Sequence, residues 1–236
     1  MSKKVINQNT NYDLELLDSI ESNFIFDENP INRLKNTTKN LKKEIDADVI
    51  GKEKELIKLK LQINSIINCD LKDNSKEIVL GDGNVNSPIM LVGEAPGMEE
   101  DSTGLTFLGE VGDLLKKMLN AINIKKENIY STYAVNFRPP QDRKPTSKEI
   151  KRYSQFLQKQ VSIIKPKLII LMGSTAMESL TGLNSKISKE RGKWKEVIVK
   201  NTTYKIIITF NPSYLLRAPE NKKYSWEDLK KIENIS

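Results

Sequence analysis

The stretch that decides the fold is "KLIILMGSTAMESLTG", Lys167–Gly182. It opens with an uninterrupted apolar run, Leu168–Met172, which is typical of a strand buried on both faces of a sheet. Gly173 ends the run, and a helix is predicted to begin at Ser174. A strand followed at once by a helix is the unit from which parallel sheets are built.

The same alternation extends on both sides of this unit. The other predicted strands are "EIVLGDGN" (Glu77–Asn84), "SPIMLVG" (Ser87–Gly93), "NIYSTYAV" (Asn128–Val135), "KWKEVIV" (Lys193–Val199) and "YKIIITF" (Tyr204–Phe210). The other predicted helices are Gly109–Ile122 and a segment ending at Ile164, with Thr146 or Ser147 as its N-cap. The pattern predicts an α/β protein with a parallel sheet sandwiched by helices.

The N-terminal residues follow a different pattern, which we assign to a helical extension over residues 1–68. Apolar spacing predicts helices at Leu14–Ile25 and Gly51–Ile67, with a solvated connector over Asp27–Asn40 between them. The alternation of strand and helix begins after Cys69, so we predict the second domain over residues 69–236.

Composition narrows the function classes. Lys and Arg number 38 against 31 Asp and Glu, and the net charge of +7 is a mild bias toward a polyanion such as nucleic acid. The chain has a single cysteine, Cys69, which excludes a disulfide framework. Because it also has no histidine, the sequence argues against a structural zinc site. The first 30 residues lack the apolar core of a secretory signal, and no apolar run approaches membrane-spanning length, so we expect a soluble, cytoplasmic protein.

Parallel sheets bind ligands at the carboxyl ends of their strands. Glu94 directly follows a predicted buried strand, where a carboxylate is costly unless it is hydrogen-bonded or functional. The alternative is a surface turn with a solvated Glu94. The surrounding loop, Gly93–Gly112, matches neither a phosphate-binding P-loop nor a dinucleotide fingerprint.

Three other loops carry arginines or exposed apolar residues. Arg138 and Arg143 lie in "NFRPPQDRKPTS", and Arg191 lies in "ISKERGKWKE". Both loops suit contact with a phosphate backbone, although each is equally compatible with a stiff or solvated connector. In "TFNPSYLLRAP", Leu215 and Leu216 are either core residues of a helix or an apolar wedge for a base stack.

Taken together, these loops resemble the uracil-DNA glycosylase superfamily, and most closely its family four and alphaproteobacterial relatives that lack an iron–sulfur cluster. The similar segments are "VLGDGN", "IMLVGEAPGMEED", "GLTFLGEVGDLLKKML", "NIYSTYAVNFRPPQDRKPTSKEI", "PKLIILMGSTA", "ERGKW" and "NPSYLLRAP". The early "DENPINRL" also resembles the alphaproteobacterial members. The resemblance implies a three-layer α/β/α sandwich with a central, mostly parallel four-stranded sheet, and removal of uracil or another deaminated base from DNA.

The resemblance also implies roles for individual residues. Glu94 and Asn211 are the expected catalytic residues, one placing or activating water and the other donating to the base oxygen. The expected base-binding residues are Gly93, Ala95, Pro96, Gly97, Phe107 and Tyr133, with Phe107 stacked on the flipped base. The expected DNA-binding residues are Arg138, Arg143, Arg191, Ser213, Leu215, Leu216 and Arg217, the two leucines being wedge candidates. No cofactor or metal is expected, and the partner is single- or double-stranded DNA bound by a monomer.

The chain departs from the family pattern in three ways. Of the four cysteines that hold the family's cluster only Cys69 remains, with Ile66 and Tyr153 at two other positions and an apolar fourth near Leu168–Leu171. Asn211 replaces the second-motif histidine; an amide can donate without titrating, so turnover is expected to be slow but real. Tyr133 stands where an Asn reads the uracil edge. Either Tyr133 shapes the pocket while another group reads the base, or the substrate is another base.

These departures leave two function classes. The leading hypothesis is a monofunctional DNA glycosylase, which the presence of Glu94 and Phe107 favours. The alternative is a non-catalytic or weakly catalytic protein that binds damaged or abasic DNA. A small-ligand binding module is the least suitable interpretation, because the sequence carries no phosphate or cofactor signature.

Overall fold

The computed structural model describes the backbone of residues 33–233 and the side chains of residues 48–232. Packing divides the chain into Met1–Ile45 and Asp46–Ser236. The described part of the first unit is helical, and the helix predicted at Leu14–Ile25 lies outside the described residues. The second unit contains the sheet and the site discussed below.

The sheet has six strands in the order β1-β3-β2-β4-β6-β5. The strands are β1 (Asp82–Gly83), β2 (Ile89–Gly93), β3 (Tyr130–Tyr133), β4 (Leu168–Met172), β5 (Trp194–Val199) and β6 (Thr202–Thr209). The four inner strands run parallel, while β1 and β5 pair antiparallel at the two edges. The predicted four-stranded sheet is therefore too small, because the short β1 and the β5–β6 hairpin add an edge strand on each side.

The helices cover both faces of the sheet. They are α1 (Arg33–Asn64), α2 (Asp70–Asp73), α3 (Met98–Thr103), α4 (Gly109–Asn120), α5 (Ser147–Ile164), α6 (Ser174–Thr181), α7 (Ile187–Glu190), α8 (Pro212–Arg217) and α9 (Lys222–Glu233). Alternate residues of β4 face opposite sides: Ile169 packs in a core with α5 and α6, and Ile170 in a core with α4 and α9. This alternation explains why the strand is apolar throughout.

The long helix α1 differs from the sequence prediction at both of its ends. Residues 33–40, predicted to be part of a connector, belong to α1, and the helix ends at Asn64 instead of Ile67. Helix propensities differ by less than about 1 kcal/mol for most residues, so Thr37 and Thr38 do not interrupt it. Leu56, Leu59 and Ile63 near the C-terminal end of α1 are buried in the core of the second unit. Across residues 33–233, no helix combines the length and apolar character that a membrane crossing requires.

Register brings the carboxyl ends of the inner strands level with one another. Gly93 pairs with Tyr133, and Met172 pairs with Thr209. The loops that follow these residues therefore meet at one edge of the sheet, as the rule for parallel sheets predicts. The predicted N-cap Thr146 and the predicted helix start at Ser174 are both found.

Candidate active site

Glu94 is the first residue beyond β2, and a residue of helix α6 holds its carboxylate. The Oγ1 atom of Thr175, in the first turn of α6, donates a hydrogen bond of 2.8 Å to Glu94 Oε2. Thr175 is completely buried, whereas Glu94 is partly exposed to a cavity. No other residue in 48–232 donates to Oε1, so one carboxylate oxygen is fixed and the second is available to a water molecule or substrate.

Asn211 is the N-cap of α8, and this position fixes the orientation of its amide. Asn211 Oδ1 accepts hydrogen bonds from the backbone N–H and the hydroxyl of Ser213, each at 3.0 Å. Within the described part of the chain, no acceptor occupies Nδ2. The cap therefore uses the acceptor end of the amide and leaves its donor end free.

Phe107 is held in an uncommon backbone conformation. Its φ of 51° is positive, which is costly for an aromatic residue unless neighbours stabilise it. Tyr133 Oη accepts a hydrogen bond of 2.9 Å from the Phe107 N–H, and Lys126 Nζ donates one of 3.0 Å to the Phe107 carbonyl. A Cβ at Gly112 would lie 2.0 Å from that carbonyl oxygen, so the helix start must be a glycine there. These contacts hold the backbone of Phe107 in this conformation.

The hydroxyl and the ring of Tyr133 both contact other residues of the protein. Besides accepting from Phe107, its hydroxyl lies 3.4 Å from Glu100 Oε1, to which it donates. Burial, and then the nearby negative charge of Glu100, raise the pKa of Tyr133 well above its usual value, so the phenol stays protonated. Its ring packs on Phe107 with centroids 4.9 Å apart. Both hydrogen-bonding capacities of the hydroxyl are thus used within the wall of the site.

Glu100 completes this wall, although the sequence analysis did not single it out. Its carboxylate accepts hydrogen bonds from the N–H groups of Gly97 (3.0 Å) and Leu108 (2.9 Å). It thereby ties the loop after β2 to the segment carrying Phe107. Thr175 has no sequence signal, because its contact with Glu94 joins residues 81 positions apart. The contact of Glu100 with Gly97 is local, but its contact with Tyr133 also joins distant segments.

Most of the predicted site residues line two adjoining cavities, whereas Gly93, Arg138, Leu215 and Leu216 line neither. The inner cavity, of about 190 Å³, is lined by Glu94, Ala95, Pro96, Gly97, Glu100, Phe107, Tyr133, Arg143, Asn211, Ser213 and Arg217, together with Val111, Pro139 and Asp142. The outer cavity, of about 910 Å³, shares Glu94, Asn211, Ser213 and Arg217 with it and continues to Lys144, Lys186 and Tyr214. Glu94, Phe107 and Asn211 thus line one common cavity. Gly93 packs against two of the wall residues, because a Cβ there would lie 2.7 Å from the rings of both Phe107 and Tyr133.

Three of the four arginines expected to bind DNA form ion pairs with carboxylates of the protein. Arg138 pairs with Asp142, Arg143 pairs with Glu149, and Arg191 pairs with Asp228, each at 2.7 Å. Asp228 is almost fully buried, so the Arg191 pair belongs to the protein interior more than to its surface. Arg217 is exposed and forms no ion pair with any residue in 48–232, and Lys144 Nζ donates only to the hydroxyl of Ser174, at 2.8 Å.

The burial of the two leucines bears on the two alternatives left open for them, a core role or a wedge role. Leu215 is 1% exposed and Leu216 is partly buried, whereas Tyr214 beside them is 37% exposed. Leu215 lies on the α4 side of α8, next to Leu114 and Met118. The helical turn that begins at Asn211 therefore directs Leu215 into the protein and Tyr214 outward.

Cys69 lies in a separate apolar cluster. Its thiol and the Tyr153 hydroxyl share a hydrogen bond of 3.3 Å, and Phe137 and Ile66 pack in the same cluster. The strand Leu168–Leu171 belongs to the two sheet cores instead, so it does not supply a fourth position here. Among residues 48–232, no three His, Cys, Asp or Glu side chains are grouped to bind a metal. One thiol among aromatic and aliphatic groups does not fit an iron–sulfur cluster, which needs four ligands.

Comparison with known proteins agrees with this geometry. The profile of the Uracil DNA glycosylase superfamily matches residues 80–230. A Type-4 uracil-DNA glycosylase of Thermotoga maritima is 38% identical over 71% of this chain and 87% of its own length. A Type-4 uracil-DNA glycosylase of Archaeoglobus fulgidus is 34% identical over 74% of this chain and 89% of its own length, and one of Sulfurisphaera tokodaii is 35% identical over 77% and 84%. With its profile match spanning more than half of the sequence, this chain belongs to the uracil-DNA glycosylase superfamily.

Proposed function

We propose that this protein is a monofunctional DNA glycosylase that hydrolyses the N-glycosidic bond of uracil, or another deaminated base, and leaves an abasic site. The observation that carries the proposal is the inner cavity, in which a carboxylate, a stacking ring and a side-chain donor converge. The similarity to Type-4 uracil-DNA glycosylases supports the same reaction. We assign the activity to residues 69–236, acting as a monomer in the cytoplasm.

The reaction needs a base outside the helical stack, because its C1′–N bond is inaccessible within a duplex. We infer that the flipped base enters the inner cavity and stacks on Phe107. The rigid Phe107 segment supports this role, because a preformed ring surface costs no further ordering when the base arrives.

Bond cleavage leaves positive charge on the sugar and negative charge on the departing base. The free Nδ2 of Asn211 donates to the base oxygen as this negative charge grows. The Glu94 carboxylate stabilises the cationic sugar and orients a water molecule through its open oxygen. The water oxygen adds to C1′ as the C1′–N bond breaks, and the proton that the water loses neutralises the departing base anion through solvent, so the products are an abasic sugar and the neutral free base.

The surroundings of Cys69, with one thiol among apolar and aromatic side chains, support grouping this protein with the relatives that lack an iron–sulfur cluster. The hydrogen-bonded pair of Cys69 and Tyr153, with Phe137 packed beside it, links α2 to α5 in the region that the family's cluster would stabilise. We propose that this apolar packing takes over the structural role of the cluster.

The test is product analysis on oligonucleotides that carry one uracil, hypoxanthine or xanthine, in single- and double-stranded form. Incubation followed by alkali should cleave at the modified position, and Glu94→Gln protein serves as the control. If wild-type protein cleaves none of these substrates yet binds the damaged or abasic strands tightly, the protein is a damage-binding protein instead.

A further inference from the structure

The outer cavity is lined by two exposed aromatic side chains that the mechanism above does not use, Tyr214 and Tyr224. The Tyr224 ring is already engaged by the cationic groups of Arg191 and Lys223, 5.1 Å and 5.0 Å from its centroid, whereas Tyr214 lies in α8, the helix that Asn211 caps. Tyr214 lies three residues after Asn211, which places their backbones about one helical turn apart. It is exposed and lines the outer cavity, which adjoins the cavity where the base is expected to bind. A side chain in this position lies at the mouth through which a flipped nucleotide passes.

Contacts with neighbouring side chains hold the Tyr214 ring in place. Its ring packs against Phe210 with centroids 5.1 Å apart, and its hydroxyl accepts a hydrogen bond of 3.0 Å from Asn221 Nδ2. Phe210 is itself covered by the guanidinium of Arg191, 5.6 Å from the ring centroid. The Arg191–Asp228 pair then anchors that guanidinium to α9. Phe210, Arg191 and Asp228 thus support the exposed Tyr214 ring.

Leu215 cannot serve as a wedge without a rearrangement of α8. It is 1% exposed, on the side of the helix that faces away from the outer cavity. Bringing it to the surface would expose a buried leucine and break the turn capped by Asn211. Tyr214 needs no such rearrangement, because its ring is already exposed.

From these contacts we infer that Tyr214 enters the gap left in duplex DNA by the flipped nucleotide and stacks on the neighbouring bases. Stacking suits a duplex partner because every base has a π face. The phenol hydroxyl contributes by holding the ring through Asn221. This inference rests on the proposed function, since a gap forms only if a base is flipped.

The experiment compares cleavage rates of single-stranded and double-stranded uracil substrates for wild-type, Tyr214→Ala, Tyr214→Phe and Leu216→Ala proteins. Loss of one aromatic stacking contact is expected to slow duplex cleavage by about tenfold or more, with a much smaller change on single strands, which have no stack to open. Tyr214→Phe should retain most of the duplex rate. Trp226→Ala, which removes an aromatic side chain of similar exposure outside both cavities, serves as the matched control.

A second readout separates a wedge from a structural effect. 2-Aminopurine placed beside the uracil in a duplex brightens when its stacking is disturbed, and this signal should fall in Tyr214→Ala while the thermal midpoint stays unchanged. Equal losses on both substrates, or a duplex-specific loss in Leu216→Ala alone, would overturn the inference. If wild-type protein cleaves neither substrate, the proposed function itself has failed, which is a distinguishable result.

Discussion

Asn211 Oδ1 accepts two hydrogen bonds from Ser213, one from its backbone N–H and one from its hydroxyl. The amide is thereby oriented before substrate arrives. A carboxylate at the same position would accept both hydrogen bonds equally well, but it would present a negative oxygen where the departing base becomes an anion. An amide meets both needs, because its oxygen caps the helix while its uncharged NH2 group can donate to the base.

Asn211→Asp therefore separates the role of Asn211 as a helix cap from its role as a hydrogen-bond donor to the base. The variant should keep its thermal stability, because the cap is preserved, and lose about 100- to 1,000-fold in single-turnover rate, because the donor is gone. Asn211→Ala should lose a similar rate and also about 1 kcal/mol of unfolding free energy. A wild-type rate in the aspartate variant would show that Nδ2 is not the donor.

Glu94→Gln should abolish most turnover while leaving affinity for uracil-containing DNA nearly unchanged. The amide has the same size and can still accept from Thr175, but it carries no charge to stabilise a cationic sugar. We expect a loss of at least about 100-fold in the single-turnover rate, measured beside fluorescence anisotropy for binding. Thr175→Val tests the orientation of the carboxylate and should cause a smaller loss. Unchanged rates in Glu94→Gln would remove the carboxylate from the mechanism.

Tyr133→Phe tests whether Tyr133 reads the base or positions Phe107. The substitution leaves the buried Phe107 N–H without an acceptor, so unfolding free energy should fall by about 1–3 kcal/mol. If the hydroxyl only positions Phe107, the relative rates on uracil, hypoxanthine and xanthine should stay the same while all of them decline. A selective change for one base would mean that Tyr133 contacts the base edge directly.

Arg217 and Arg191 should respond differently to the same change. Arg217→Gln removes an exposed charge, so it should weaken DNA binding and reduce the slope of log affinity against log salt by about 1, with little effect on the thermal midpoint. Arg191→Gln leaves the buried Asp228 without its partner and should destabilise the fold by about 3–5 kcal/mol. A salt slope that Arg217→Gln does not alter would place the DNA surface elsewhere.

Acid should weaken the start of α5 through Glu149. The hydrogen bonds from Arg143, with help from Thr146, lower the pKa of Glu149 from 4.5 to about 2. Because the folded-state pKa is depressed, this stabilisation is fully present above pH 4.5 and is lost as pH falls toward 2. The pair is partly solvated, so we expect it to contribute about 1 kcal/mol. Glu149→Gln should flatten the dependence of unfolding free energy on pH in this window, as measured by urea titration at several pH values.

The sequence by itself determined the class of fold and the loops that form the site. Apolar runs such as Leu168–Met172, each followed by a helix signal, are sufficient to predict a parallel sheet, because only a doubly covered strand is apolar on both faces. The rule that ligands bind at carboxyl ends then selected the loops bearing Glu94 and Asn211. Local features, including the Thr146 cap and the helix start at Ser174, were also predicted correctly.

Only the tertiary structure decided which side chains are free to act. Arg138, Arg143 and Arg191 look alike in sequence to Arg217, but in the structure each pairs with a carboxylate. Arg138 and Arg143 pair at the surface with the nearby Asp142 and Glu149, and Arg191 pairs with the buried Asp228 of α9. The phase of a short helix decides that Leu215 is buried and Tyr214 exposed, and sequence spacing cannot set that phase without knowing where α4 lies. Hydrogen bonds such as Thr175 to Glu94 join residues distant in the chain, so local sequence carries no record of them.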